Sequence, residues 1–349
     1  MLKNISVKTR CLESTVVLTL VLGLAGCGSP QPTTPSSLSS DTTSTAASIS
    51  GNGGKPKVVA TTSVLCDMTQ EIAQDTVNLT CLIPTGTDPH VYEPKPSDRK
   101  AIEQANLILY SGYGFEPQLL KLIQATKNSA PKIAVSELAV PKPLKGKEHE
   151  HGGEEKGEAE HEHSEFDPHI WHDAKNGIRM VEAVRDNLEH LSPSNARQYT
   201  STAQNTIGEL TQLDRWIKSQ IGTIPAKQRK LVTTHDAMGY YAAAYGIPID
   251  GALQGISTDE KPTAGRVKEL VDEIKQASVP TIFAEATINP KLIETVAKEA
   301  NVKVSTQKLF ADGLGDKGTQ ANSYEKMLIA NTQAIVKGLG GKYTPFQVK

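Results

Sequence analysis

Four side chains in this sequence have the types and settings to hold a divalent cation between them. His90 stands in Asp88-Pro89-His90-Val91-Tyr92-Glu93-Pro94, His169 in Asp167-Pro168-His169-Ile170-Trp171, and His235 directly after Leu231-Val232-Thr233-Thr234. Asp312 lies in Leu309-Phe310-Ala311-Asp312-Gly313. The prolines around His90 restrict the backbone and hold the imidazole in a defined direction. A histidine standing alone is ordinarily a satisfied core or surface residue. Three of them at strand ends or turn-like sequences, where α/β folds collect their ligands, say more. Asp-Pro-His also occurs twice. The four residues fall two in each half of the chain at comparable places, so a site built from all of them must lie between two lobes. His190 precedes a helix cap without such a setting and reads as a surface residue. His172, three residues past His169, reads as an orienting or solvent residue.

The elements that must position these residues alternate from residue 57 onward. Lys57 to Thr62 is a β-branched run, Leu65 to Gln74 is helical, and a second strand lies near Leu79 to Ile83. Ser97 opens a helix through Ala105, followed by strand Leu107 to Tyr110, helix Glu116 to Ala125 and strand Lys132 to Val135. Such repeats predict a parallel sheet with helices on both faces. Ser192-Pro193 is an N-cap with proline at the first helical position. Beyond it Tyr199, Ala203, Ile207, Leu210, Leu213, Ile217 and Ile221 recur at helical spacing, a rod of roughly 42 Å that can brace two lobes. The pattern then restarts. Strand Leu231 to Thr234, helices Ala237 to Tyr245 and Ala264 to Ala277, strand Thr281 to Ala284, a helix after Asn289-Pro290, strand Val302 to Ser305 and a last helix from Ser323 to about Val336 make a second βα lobe.

Composition narrows the functions available. With 37 Lys plus Arg against 39 Asp plus Glu, the net charge is −2, so no large cationic face exists for a phosphate backbone. Aromatic residues at 5% also argue against base-stacking platforms, so nucleic acid is not expected as a partner. Lys3, Lys8 and Arg10 precede an apolar run, Ser14 to Leu24, too short to span a bilayer comfortably, which reads as a secretory signal over residues 1–26. Leu24-Ala25-Gly26-Cys27 looks like a bacterial lipobox, with Cys27 as the lipidated residue. The segment to residue 55 is mostly Ser, Thr, Pro and Gly and is expected to be a flexible tether. Cys66 and Cys81 remain as an even pair in an oxidising compartment, which suggests a disulfide between the first helix and the next strand. Lys145 to Glu165 has almost no apolar residue and is expected to be disordered. It holds four of the nine histidines, His149, His151, His161 and His163, among glutamates, a weak multivalent site for borderline divalent metals.

From Lys57 to the C-terminus the chain resembles the metal-binding solute-binding lipoproteins of bacterial zinc and manganese ABC importers, a cluster that includes some streptococcal adhesins. The resemblance is carried by Asp-Pro-His-Val-Tyr-Glu-Pro around His90, Asp-Pro-His-Ile-Trp around His169, Thr-His-Asp-Ala-Met-Gly-Tyr around His235 and Leu-Phe-Ala-Asp around Asp312. It implies an α/β fold of two βα lobes with parallel four-stranded sheets, residues 56–191 and 225–349, joined by a long rigid helix, 192–224. It also implies one metal clamped in the cleft by His90, His169, His235 and Asp312. Manganese-preferring relatives commonly carry glutamate where this chain has His235, and zinc-preferring ones a histidine- and acid-rich loop like 145–165. Three imidazoles and one carboxylate suit tetrahedral Zn²⁺, whereas Mn²⁺ favours more oxygen donors; Mn²⁺ or Fe²⁺ is the alternative cargo. Asp236 and Glu285 are candidates to orient the imidazoles.

The expected function is that of an exported, lipid-anchored monomer, facing the periplasm or cell exterior. It would capture Zn²⁺ and deliver it to an ABC permease driven by a cytoplasmic ATPase. The chain has no Gly-x-x-x-x-Gly-Lys-Ser/Thr run of its own, and it is not expected to be an enzyme. A zinc hydrolase would need an open coordination place beside three histidines. Whether Asp312 joins them decides that point, and the sequence has no His-Glu-x-x-His helix. An adhesin on the same scaffold would keep the same cleft residues.

Overall fold

The computed structural model describes residues 54–146 and 165–348. The signal segment, Cys27, most of the tether and His149, His151, His161 and His163 lie outside the described residues. Among the described residues no helix is long and apolar enough to cross a membrane.

In the first half β1 (Lys57–Ala60), β2 (Asn78–Cys81), β3 (Leu107–Tyr110) and β4 (Lys132–Ala134) form a parallel sheet in the order β2-β1-β3-β4. Its helices are α1 (Ser63–Ala73), α2 (Pro96–Gln104), α3 (Pro117–Ala125) and α4 (Val135–Ala139). The two central strands are apolar on both faces, as a sheet covered twice requires. Val58, Ala60, Leu107 and Leu109 enter one buried cluster. Val59 and Ile108 point the other way, to Leu82, Tyr92, Ile102, Leu119 and Ile123. Cys66 on α1 and Cys81 at the end of β2 form a disulfide, with their Cα atoms 5.6 Å apart. The 145–165 segment starts and ends in order, since Lys145 and Phe166 form an antiparallel bridge and the Gly146 N–H donates to the Glu165 carbonyl.

The second half repeats this plan with looser pairing. It contains β5 (Leu231–His235), α7 (Gly239–Tyr245), β6 (Ile249–Gln254), α8 (Ala264–Ala277), β7 (Thr281–Ile282), α9 (Lys291–Ala300), β8 (Lys303–Val304) and α10 (Tyr324–Gly338). The strands form two parallel pairs, β5-β6 and β7-β8, and the Phe283 N–H donates to the Val232 carbonyl at 2.9 Å across the seam. The lateral order β6-β5-β7-β8 thus mirrors β2-β1-β3-β4.

Between the halves run α5 (Ala174–Leu191) and α6 (Ala196–Gly222). Pro193 opens a short 3₁₀ turn, Pro193–Asn195, rather than α6 itself. At 27 residues α6 is about 40 Å long. Its stripe Tyr199, Ala203, Leu210, Leu213, Ile217 and Ile221 is fully buried. That stripe joins the inner face of the first sheet, α5, α7 and α10 in one cluster. Among the described residues from 54 onward the two halves thus form one compact unit, sharing a core through α6.

Candidate metal centre

Three of the four side chains come from the end of a strand or from the segment that follows it. His90 lies in the loop between β2 and α2. That loop is pinned by Tyr92, whose hydroxyl donates to Asp98 Oδ2 at 2.8 Å. His235 is the last residue of β5. Asp312 follows Leu309, which bridges in parallel to Glu285 just beyond β7. His169 precedes a 3₁₀ turn, Ile170–His172, that carries two further anchors. Trp171 Nε1 (3.1 Å) and His172 Nε2 (2.8 Å) both donate to the carbonyl of Ala311, the residue before Asp312. His172 is therefore fully buried, and its reading as a solvent residue is wrong. It fixes the Asp312 segment and is not one of the four. His190 is exposed in the last turn of α5.

One donor atom from each of His90, His169, His235 and Asp312 lies within 4.8 Å of all the others, and all four residues are buried. His90 Nε2 and His169 Nε2 are 3.3 Å apart. Asp312 Oδ1 stands 3.1 Å from His235 Nε2, 3.3 Å from His169 Nε2 and 3.8 Å from His90 Nε2. A tetrahedral ion with bonds of about 2.1 Å separates its donors by about 3.4 Å, so these spacings are those of a coordination shell. His235 Nε2 and Asp312 Oδ1, 3.1 Å apart, are both buried without a hydrogen-bond partner. Buried polar atoms are rarely left so, and here they converge on one point.

Residues 58–338 match the family model for ZnuA, the zinc-uptake complex component A, periplasmic. The chain belongs to this family. It is 35% identical over 291 residues to the zinc-binding protein TroA of Treponema pallidum, covering 82% of this chain and 89% of that one. To the manganese ABC transporter substrate-binding lipoprotein PsaA of Streptococcus mitis it is 33% identical over 294 residues, covering 82% and 90%. The solved structure of the periplasmic zinc binding protein TroA from Treponema pallidum aligns with a TM-score of 0.74 at 34% identity, over 82% of this chain and 99% of that one. A manganese-bound periplasmic metal binding protein from Candidatus Liberibacter asiaticus aligns at 0.65 and 26% identity, over 81% and 99%.

In this member of the ZnuA family, the ring orientations are set by carboxylates behind the donors. Asp167 Oδ1 accepts both the backbone N–H (2.9 Å) and the ring Nδ1–H (2.8 Å) of His169. Glu285 Oε1 accepts the N–H groups of Thr234 and His235 at 3.0 Å each, and Oε2 accepts from His235 Nδ1. Both rings thereby turn Nε2 toward the common point. Glu285 thus has the orienting role expected of it; the Asp236 N–H pairs with the Gly255 carbonyl. Asp167 escaped the sequence reading as an orienting residue, although Asp-Pro-His was its signal. Gly239 makes room for it: a Cβ there would lie 2.4 Å from Asp167 Oδ2.

Burial and charge divide the protons unevenly. Burial, helped by His169 and His235, pushes His90 down to about 3, so its ring is neutral. Burial also opposes charge on His235, but Asp312 and Glu285 outweigh it and hold that ring well above the ordinary histidine range. The same balance of Asp167 and Asp312 against burial raises His169. Asp312 is held well below the usual carboxylate range, because His235 and His169 overcome its burial. The centre thus offers an anion and the neutral ring of His90 to an incoming cation, with the protons favoured on His235 and His169 as its competitors.

Proposed function

We propose that this chain is the extracytoplasmic receptor of a metal ABC importer, and that it takes Zn²⁺ between His90, His169, His235 and Asp312. The observation that carries this reading is the convergence of four buried donor atoms at coordination spacing, two of them without a hydrogen-bond partner. Membership in the ZnuA family supplies the class. Relatives of the family are named for manganese as well as zinc. Three nitrogens and one oxygen favour zinc, whose preferred shell is tetrahedral and nitrogen-rich, over manganese or ferrous iron. The cargo would pass to a permease driven by a cytoplasmic ATPase. Cys27 would carry the lipid anchor and keep the exported monomer at the membrane. With Asp312 in the fourth place no coordination position is left for a catalytic water, which supports a receptor and not an enzyme.

The test is metal content under competition. The protein, purified and re-equilibrated with equal Zn²⁺ and Mn²⁺, should hold one Zn²⁺ per chain by elemental analysis. Titration calorimetry on His235→Glu should then show relative affinity moving toward Mn²⁺. A parent chain that retains Mn²⁺ in preference would overturn the zinc assignment, and one that retains neither would overturn the site. His149, His151, His161 and His163 are proposed as weak additional ligands. Deleting residues 147–164 should leave the tight site intact and remove only weak binding.

A further inference from the structure

The two Asp-Pro-His motifs do different work. Asp167 spends one oxygen on both the backbone and the ring of His169. Asp88 uses Oδ1 only for the backbone N–H of His90, at 3.0 Å, and its second oxygen reaches across to the other half of the molecule. Oδ2 accepts the hydroxyl of Thr258 at 2.6 Å. Thr258 is itself well rooted. Its loop follows β6, and Gln254, the last residue of β6, donates its side-chain amide to the carbonyls of Thr258 (3.2 Å) and Glu260 (2.9 Å). Gln254 stands opposite His235 in the β5-β6 register. One carboxylate therefore links the backbone that carries His90 to the strand beside His235.

We propose that Thr258 is a positioning residue that sets how long the cation stays bound: by holding Asp88, its hydroxyl keeps His90 against the three other donors. The proposal rests on the four-donor reading above. His90 is the donor that needs such a tether. Its Nε2 stands farthest of the three ring nitrogens from Asp312 Oδ1, at 3.8 Å. Its loop also runs over the surface at Thr85 and Gly86. A hydroxyl donating to a carboxylate is among the stronger hydrogen bonds, and this one is partly shielded from water. A second bond between the halves, from Thr85 Oγ1 to Asp316 Oδ1 at 2.6 Å, joins two exposed residues, where water replaces either partner at little cost. It serves as the built-in comparison.

The experiment uses the full chain loaded with Zn²⁺ and mixed with excess chromogenic chelator in a stopped-flow instrument. Thr258→Val and Thr258→Ala should release Zn²⁺ about tenfold faster than the parent, with the association rate unchanged. Thr258→Ser, which keeps the hydroxyl, and Thr85→Val should release it at the parental rate. Parental release from both Thr258→Val and Thr258→Ala would overturn the proposal, as would release from Thr258→Ser as fast as from Thr258→Val. A parent chain that takes up no Zn²⁺ would overturn the four-donor site, a failure visible before any variant is compared.

Discussion

A proton and a cation compete for the same nitrogen in this centre. His235 donates through Nδ1 to Glu285 and directs Nε2 at Asp312, so the proton that Asp312 stabilises on the ring sits where a metal bond must form. Because His235 is held above the ordinary histidine range, cation uptake near neutral pH must expel that proton. Calorimetry at pH 7 in buffers of different ionisation enthalpy should register at least one proton released per cation, with affinity falling toward pH 5. An affinity that is flat from pH 8 to pH 5 would contradict this. Asp167→Asn and Glu285→Gln should each weaken binding about 10- to 100-fold in the same titration, because each loses the acceptor that fixes a ring. Glu116 gives a separate prediction, on stability. It is fully enclosed, accepts from Thr61 Oγ1 and the Ser111 N–H at 2.7 Å each, and leaves Oε2 without a partner. Burial, only partly opposed by those donors, pushes it up to about 7. The native state then keeps a proton that the unfolded chain loses near 4.5, so stability falls as pH rises between these values. Glu116→Gln should gain about 3 kcal/mol relative to the parent between pH 4 and pH 8, read by urea denaturation at both. Among the donors, His90 and His169 were legible in the sequence because Asp-Pro-His repeats, and His235 because it directly follows a strand-like run. Glu116 was not, since its burial arises only where the ends of β1 and β3 meet.

Among the elements, the long helix α6 was the most legible and should matter most for stability. Its apolar positions keep helical spacing over about six turns, and the stripe faces α1, α5, α7 and α10 in the shared cluster. Leu213, fully buried there, should cost about 2–5 kcal/mol when truncated to alanine, whereas exposed Glu209→Ala should stay within about 0.5 kcal/mol. Chemical denaturation of both variants checks the contrast. Helix α5 and strand β6 were not read from the sequence, for different reasons. Asn176-Gly177 in the first turn of α5 looks like a loop on propensity. The glycine is required by packing, because a Cβ at Gly177 would lie 2.1 Å from the Tyr324 hydroxyl. That hydroxyl donates to the Trp171 carbonyl at 2.6 Å, beside the site. Later in α5, Met180, Val181, Val184 and Leu188 do carry the helical period. Strand β6 contains Asp250 and Gly251, both poor strand formers, and is specified by pairing with β5 rather than by its own pattern.

At the scale of the whole molecule, the question is whether binding requires the halves to swing. A hinge between them would have to open the cluster in which α6, α5 and α10 pack against the inner faces of both sheets. Interiors packed at crystal-like density resist such opening, since each exposed side chain loses both burial and contacts. The loops around the donors carry no such load. Thr85, Gly86 and Asp316 are exposed, and the bonds from Thr85 to Asp316 and from Thr258 to Asp88 are single side-chain contacts. Cation binding should therefore leave the radius of gyration from solution scattering unchanged within error. In hydrogen exchange it should slow the segments 84–92, 255–261 and 311–316 and leave α6 as protected as before. A clear fall in the radius of gyration on adding Zn²⁺, accompanied by new protection along α6, would show that the shared core opens in the free receptor and that the brace is a hinge.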